Sequence, residues 1–236
     1  MRLSILALAA VASLSAAGCH AQEDKAFGAK VHAYLLRHPE VIEEAITQLQ
    51  TQREAQADLK TKASLKTYRQ QIEHDPRDFV ANPEGKITVT EFYDYRCPHC
   101  VNAAPAVLGI IQSNPDVRFV FKEMPIFGAV SEHAARTAIA VKNKGGDYVG
   151  IHRTFMSAKG LNDAMIDDIA RKYGVDPVAS EAPAPRDKAD AQIADIHKLA
   201  NNLAIDGTPT FIVGDTVVPG EDIDALKAAI AAARKG

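Results

Sequence analysis

Cysteine stands at three positions of the chain, Cys19, Cys97 and Cys100, and the last two are held two residues apart in Cys97-Pro98-His99-Cys100. The reactive form of cysteine is the thiolate, so the first question is what would hold a negative sulfur. The run Ile87-Thr88-Val89-Thr90-Glu91-Phe92-Tyr93 is rich in β-branched and aromatic residues and predicts a strand, and Val101 to Gln112 reads as a helix. The pair therefore falls at a helix N-terminus, where unpaired N–H groups and the positive end of the helix dipole favour an anion on Cys97. Cys100 lies one turn along, close enough to close a disulfide. Pro98 presets φ in the first turn, where its missing N–H costs nothing. His99 can donate to the Cys97 thiolate or, when charged, favour it directly. Cys97 is the candidate nucleophile and Cys100 the resolving thiol.

Other uses of the pair fit less well. Zinc needs four ligands, and His133, His152 and His197 have no ligand-like spacing, so neither a metal nor another cofactor is expected. A structural disulfide across so small a loop would constrain the unfolded chain little. Two alternatives to exchange chemistry remain: a Cu(I)-handling protein, since soft thiolates suit that ion, and a non-catalytic envelope lipoprotein.

Positioning such a site takes a strand–helix–strand unit, and the sequence supplies one. After the helix, Val117-Arg118-Phe119-Val120-Phe121 predicts a second strand, which implies parallel pairing with the first. Helical patterns follow from Ser131 to about Gly174 and again, past a Pro/Ala-rich stretch, to Asn202. Thr210-Phe211-Ile212-Val213 and Thr216-Val217-Val218 flank Gly214-Asp215 as a hairpin, with a last helix from Asp222 to Arg234. Ahead of the site, Gln22 to about Ile72 is helical and polar, with a break near Arg37-His38 before Pro39. Its apolar residues, Phe27, Val31, Leu35, Ile42, Ile46 and Leu49 among them, thin out beyond Leu49, too sparse for one domain's core, so this arm is expected to bury its stripe between copies of the chain. The cluster His74-Asp75-Pro76-Arg77-Asp78 and then Asn82-Pro83-Glu84-Gly85 predict a boundary made of turns.

Arg2, the apolar stretch Leu3 to Leu14 and the small residues Ser15 to Gly18 form a secretory signal pattern. Ser15-Ala16-Ala17-Gly18-Cys19 resembles a lipobox, which would anchor the mature protein through a lipidated Cys19; ordinary cleavage after Ala17 or Ala21 is the alternative. A formal net charge of -3 gives no support to nucleic-acid binding.

From Glu91 to Cys100 the sequence resembles the active site of the DsbA family of periplasmic thiol oxidoreductases. Gly207-Thr208-Pro209-Thr210-Phe211 resembles the loop in which that superfamily carries a cis-proline facing the disulfide. Met124-Pro125-Ile126-Phe127-Gly128 and Ser131 to Arg136 look like the start of its inserted helical domain, and Tyr34 to Ala45 is similar to the N-terminal extension of the ScsC-like branch. The resemblance implies an α/β thioredoxin-like fold with an inserted helical domain and an N-terminal helical arm. The expected parts are a signal over residues 1–21, an arm over 22–75, and a catalytic domain over 79–236 with its insertion at about 129–203. It implies a periplasmic enzyme acting on cysteine-containing exported proteins, with a membrane redox partner and a homo-oligomer through residues 22–75. Members of the ScsC-like branch include isomerases, so the direction of reaction stays open. Glu91 would be a partly buried acid near Cys100, relaying its proton. Strand parity with Ile87 and Val89 supports its burial, and Lys122 is its candidate partner. Thr208 and Pro209 would bind substrate, the Thr208 backbone pairing with an extended peptide.

Overall fold

The computed structural model describes residues 16–235, with side chains from Lys25 onward. Most of the expected signal segment and the side chain of Cys19 lie outside the described residues. The chain divides into two compact units with the boundary between Leu59 and Lys60.

The first unit contains α1 (Ala16–Arg37) and most of α2 (Glu40–Glu73). The helices part at His38-Pro39, where the proline has no N–H to continue the ladder. Along this unit Phe27, Tyr34, Leu36, Ile42, Ile46 and Leu49 are exposed.

The second unit begins within α2 and is built on a five-stranded sheet. In chain order it adds β1 (Phe79–Ala81), β2 (Ile87–Tyr93), α3 (Pro98–Ser113), β3 (Val117–Glu123), α4 (Ala129–Asn143), α5 (Tyr148–Ser157), α6 (Asp163–Lys172), α7 (Pro177–Ser180), α8 (Pro183–Asn202), β4 (Thr210–Val213), β5 (Thr216–Pro219) and α9 (Ile223–Ala233). The strand order is β1-β3-β2-β4-β5. Among the described residues only β2 and β3 pair in parallel, through the α3 crossover, and the remaining pairs are antiparallel. Helices α4 to α8 stand between β3 and β4.

Period-two alternation assigns the two faces of the sheet. Val89, Tyr93, Phe119, Phe121, Phe211 and Val213 pack with α3, α4 and α5 in the larger core. Phe92 and Ile212 point the other way and pack with Leu65 and Ile72 of α2 and with Ile196 and Leu199 of α8.

Here the structure departs from the expected arm of residues 22–75. Leu65 and Ile72 are both 0% exposed, so the last turns of α2 belong to the second core rather than to an exposed stalk. Polar contacts fix the same stretch: Thr90 Oγ1 donates to Ile72 O at 3.2 Å, and Arg118 Nη1 donates to Glu73 O at 2.7 Å. The expected turn region also holds a strand, since Phe79–Ala81 pairs with Phe119–Phe121 at the sheet edge. Leu65→Ala is expected to cost about 2–5 kcal/mol, as large-to-small changes in closed cores do; a urea titration followed by circular dichroism measures it.

Candidate active site

Strand β2 ends at Tyr93 and α3 begins at Pro98, so Cys97 takes the N-cap with extended dihedrals (φ -69, ψ 119) and makes no capping bond to the helix. Its sulfur is left free for another partner. Cys97 Sγ donates to the carbonyl of Thr208 at 3.1 Å, and Thr208-Pro209 is a cis peptide. Thr208 is buried, and its hydroxyl has no hydrogen-bond partner. The four residues Cys97, Cys100, Thr208 and Pro209 are thus brought to one place from opposite ends of the domain. No bond joins the Cys97 and Cys100 sulfurs in this structure.

The two sulfurs differ in surroundings. Cys100 is 0% exposed, and burial pushes its thiol far above the ordinary range, with the nearby Glu91 charge acting in the same direction. Cys97 occupies the N-cap of α3, at the end of the helix where the first N–H groups have no intrahelical partner. Pro98 and His99 are exposed beside it. His99 Nδ1 lies 3.3 Å from Glu221 Oε1, a neighbour that nothing in the sequence pointed to.

Glu91 is 2% exposed, on the same face of β2 as Val89 and Tyr93, and one of its oxygens has no hydrogen-bond partner. Burial, reinforced by the charge of Glu123, raises its pKa to about 8. The proposed pairing with Lys122 is corrected by register. Glu91 stands opposite Phe121 and Phe92 opposite Lys122, so Lys122 leaves β3 on the other face of the sheet. There its ammonium pairs with the buried carboxylate of Asp78 and donates to Gln71 O.

Three features of the site escaped the sequence. Asp94, 1% exposed, accepts from Arg96 N at 2.6 Å, Ile126 N at 2.6 Å, Phe127 N at 2.9 Å and Ser131 Oγ at 2.8 Å. Glu123 Oε1 accepts from the hydroxyls of Tyr93, Tyr95 and Tyr148 at 2.6, 2.9 and 2.7 Å. Burial drives Glu123 up to about 8 against the opposing effect of those three donors. His152 lies among the same rings, 5.0 Å from both Tyr93 and Phe121, and burial lowers its pKa to about 3. Parity with Phe119 and Phe121 was the available signal for Glu123, the same argument that placed Glu91. Among the described residues no three His, Cys, Asp or Glu side chains gather as metal ligands.

Fold and site together define a thioredoxin-fold protein with a vicinal dithiol at a helix start, facing a cis-proline loop. The chain belongs to the family of the DSBA-like thioredoxin domain, whose model matches residues 88–231. A second model, the copper resistance protein ScsC N-terminal domain, matches residues 23–56. A thioredoxin-like oxidoreductase from Silicibacter pomeroyi is 39% identical with a TM-score of 0.65, over 71% of this chain and 98% of that one. ScsC of Proteus mirabilis in a transitional conformation is 26% identical with a TM-score of 0.64, over 90% of this chain and 97% of that one. Of the curated relatives, Na(+)/H(+) antiporter NhaA 1 of Salinispora arenicola is 29% identical over 69% of this chain. That match covers 26% of the antiporter, so the chain spans about a quarter of its length.

The raised pKa of Glu91 sets a pH dependence whose sign can be worked out. In the unfolded chain the carboxyl loses its proton near 4.5, and in the folded chain near 8. Between these values the unfolded state binds fewer protons, so stability falls as pH rises through the window. Glu91→Gln removes that penalty. Relative to the parent chain, the variant is expected to gain stability from pH 4.5 to pH 8, on the order of a few kcal/mol, and to level off above. Parallel urea titrations at several pH values measure the difference, and a pH-independent difference would contradict the assignment.

Proposed function

We propose that the chain is an exported thiol–disulfide interchange protein that oxidises or rearranges disulfides in cysteine-containing proteins of the cell envelope or secreted from it. The observation that carries this reading is the Cys97 sulfur, placed at the α3 N-terminus and against Thr208 O, with Cys100 buried one turn behind it. In the oxidised form a substrate thiolate attacks Cys97 Sγ, forming a mixed disulfide and expelling the Cys100 thiolate. At neutral pH Glu91 is protonated and can return a proton to that sulfur, whose thiolate is strongly disfavoured by burial. The second substrate thiolate then attacks the bridged substrate sulfur and releases Cys97. Two electrons pass from the substrate dithiol to the Cys97–Cys100 disulfide. His99 and Pro98 shape the exposed rim of this site, while Thr208 and Pro209 offer the backbone along which a substrate segment would lie.

The reading places the protein in the periplasm, through the signal pattern of residues 1–21 and a membrane anchor if Cys19 is lipidated, with a membrane redox partner to reset its oxidation state. Among the described residues no helix is long and apolar enough to cross a membrane. Rearrangement is favoured over simple oxidation by the arm. Its exposed side chains include Phe27 at 70%, Leu36 at 71% and Ile46 at 51%, a surface that a protein seldom leaves open. The ScsC N-terminal family model covers the same stretch. A homo-oligomer through this arm, a trimer by resemblance to the ScsC-like branch, would set several Cys97 sites around one substrate.

Cys97→Ser is expected to abolish insulin reduction, and Cys100→Ser to attack without resolving, so that mixed disulfides accumulate on non-reducing gels. Trapping by the Cys97 variant instead would reverse the two roles. Full thiol counts with no exchange would favour the non-catalytic lipoprotein, and stoichiometric Cu(I) binding in place of exchange would favour copper handling.

The arm is tested by truncation, and Leu65 and Ile72 dictate where to cut. A chain starting at Lys60 keeps both in the core, whereas one starting at Phe79 removes them. The Lys60 truncation is expected to be monomeric by light scattering and to oxidise reduced substrates, but to lose refolding of a scrambled multi-disulfide protein. A full mature chain that is already monomeric would make a monomeric oxidase the better reading.

A further inference from the structure

We propose that Glu221 is a positioning residue for the dithiol: it holds the His99 ring toward the loop between β5 and α9 and off the Cys97 sulfur, and so restrains the oxidising power of the Cys97–Cys100 bridge. This rests on the exchange reading and adds a residue to that same site. His99 Nδ1 lies 3.3 Å from Glu221 Oε1, while the Cys97 sulfur is engaged by Thr208 O at 3.1 Å. The loop that carries Glu221 is fixed on both sides. Before it, Pro219 stands opposite Thr210 in the β4–β5 pair, and Gly220 N, at a residue with φ 73, donates to Pro209 O at 2.8 Å. After it, Asp222 caps α9 by accepting from Ala225 N at 2.9 Å. The same short run of chain therefore grips the carbonyl of the cis-proline and presents a carboxylate to the first turn of α3. The cysteine turn, the cis-proline loop and the β5–α9 loop meet at the dithiol, and the third of them contributes a charge.

The side chains of His99 and Glu221 are 65% and 39% exposed, so the pair adds little to stability, and its consequence lies in where the ring is held. A charged imidazole beside a thiolate stabilises it, and the reduced form of a dithiol gains whatever its thiolate gains. A carboxylate that draws the imidazole to itself withdraws that gain. Its own negative charge opposes a second negative charge on Cys97, which acts in the same direction. The carboxylate also favours the protonated ring, an effect of opposite sign, but that contribution disappears where the ring is charged without it. With the ring charged in both cases, Glu221 disfavours the reduced form. The dipole of α3 acts on Cys97 whether or not the carboxylate is present.

The test is the equilibrium of the mature chain with glutathione at about pH 6, where an ordinary histidine is mostly charged. Two glutathione thiols reduce the Cys97–Cys100 bridge to two thiols and become glutathione disulfide, so two electrons and two protons pass to the protein. Trapping the free thiols with an alkylating reagent and separating the two forms on a gel gives the equilibrium constant. Glu221→Gln is expected to move it about two- to fivefold toward the reduced chain, the range of one partly exposed ion pair. The backbone bonds of the loop do not depend on that side chain, and a constant is read rather than a rate, so a general loss of activity does not imitate the result. In a His99→Ala background the same substitution is expected to lose most of its effect, because no ring remains to be released. No shift in Glu221→Gln, a shift toward the bridged chain, or a shift of equal size without His99 overturns the role of Glu221 and leaves the exchange reading standing. Failure of glutathione to reduce the bridged parent chain overturns the exchange reading, and the role of Glu221 falls with it.

Discussion

Asp94 sits one residue past the end of β2, almost wholly out of water, and a buried carboxylate is tolerated only where donors replace its hydration. Four donors do so, and they come from three different parts of the chain: the cysteine turn, the loop after β3 and the first turn of α4. The same residue's carbonyl receives the Cys97 amide. Losing the Ile126 and Phe127 amides would leave Oδ2 with no donor, and losing Arg96 N or Ser131 Oγ would leave Oδ1 with one donor instead of two. That makes their relative placement a single cooperative arrangement rather than three independent ones. The helical insertion and the dithiol are therefore held to each other by this carboxylate as well as by packing.

Around that anchor, the alternation of β2 separates two kinds of work. The side chains of Glu91 and Tyr93 enter the face that also holds Phe121 and the Glu123 cluster, and this is the face behind the cysteines. The side chains of Thr90 and Phe92 enter the other face, where α2 and α8 are fastened to the sheet through Leu65, Ile72 and the Lys122–Asp78 pair. A buried ion pair is weak evidence of net stability, because desolvation opposes attraction, but losing one partner leaves a buried charge. Lys122 and Asp78 thus bind the beginning of the domain to its middle without touching the chemistry.

Much of this was legible in the sequence, and the reasons for the rest are physical. The dithiol, its strand and helix, and the Thr208-Pro209 loop were readable because their chemistry is local in the chain or carried by a distinctive motif. The burial of Glu91 was readable because period two is a strong rule within a strand. The Lys122 partnership was misjudged because it asked for two strands to be placed in register, and a one-residue difference sends a side chain to the other face. The donors of Asp94 lie as far as 37 residues away, and no local pattern announces them. Strand β1 has three residues, too few to show alternation. Leu65 and Ile72 are spaced like a helical face, but the polar residues around them hid the fact that only two turns of α2 needed to be apolar.

The buried acids also bear on how the site can hold charge. Beyond burial, Glu123 raises the cost of ionising Glu91, Asp94 raises that of Glu123, and Cys100 feels Glu91 in turn. In such a pocket a second negative charge is far more expensive than the first, so the protons of the group are shared rather than independent. On the exchange reading proposed above, Glu91 is the proton source for the Cys100 sulfur when the Cys97–Cys100 bridge opens. When the bridge re-forms, the proton must leave again. Exchange at the dithiol, as proposed, would then move a proton within the domain, beside a Glu123 carboxyl whose Oε1 accepts from three tyrosines.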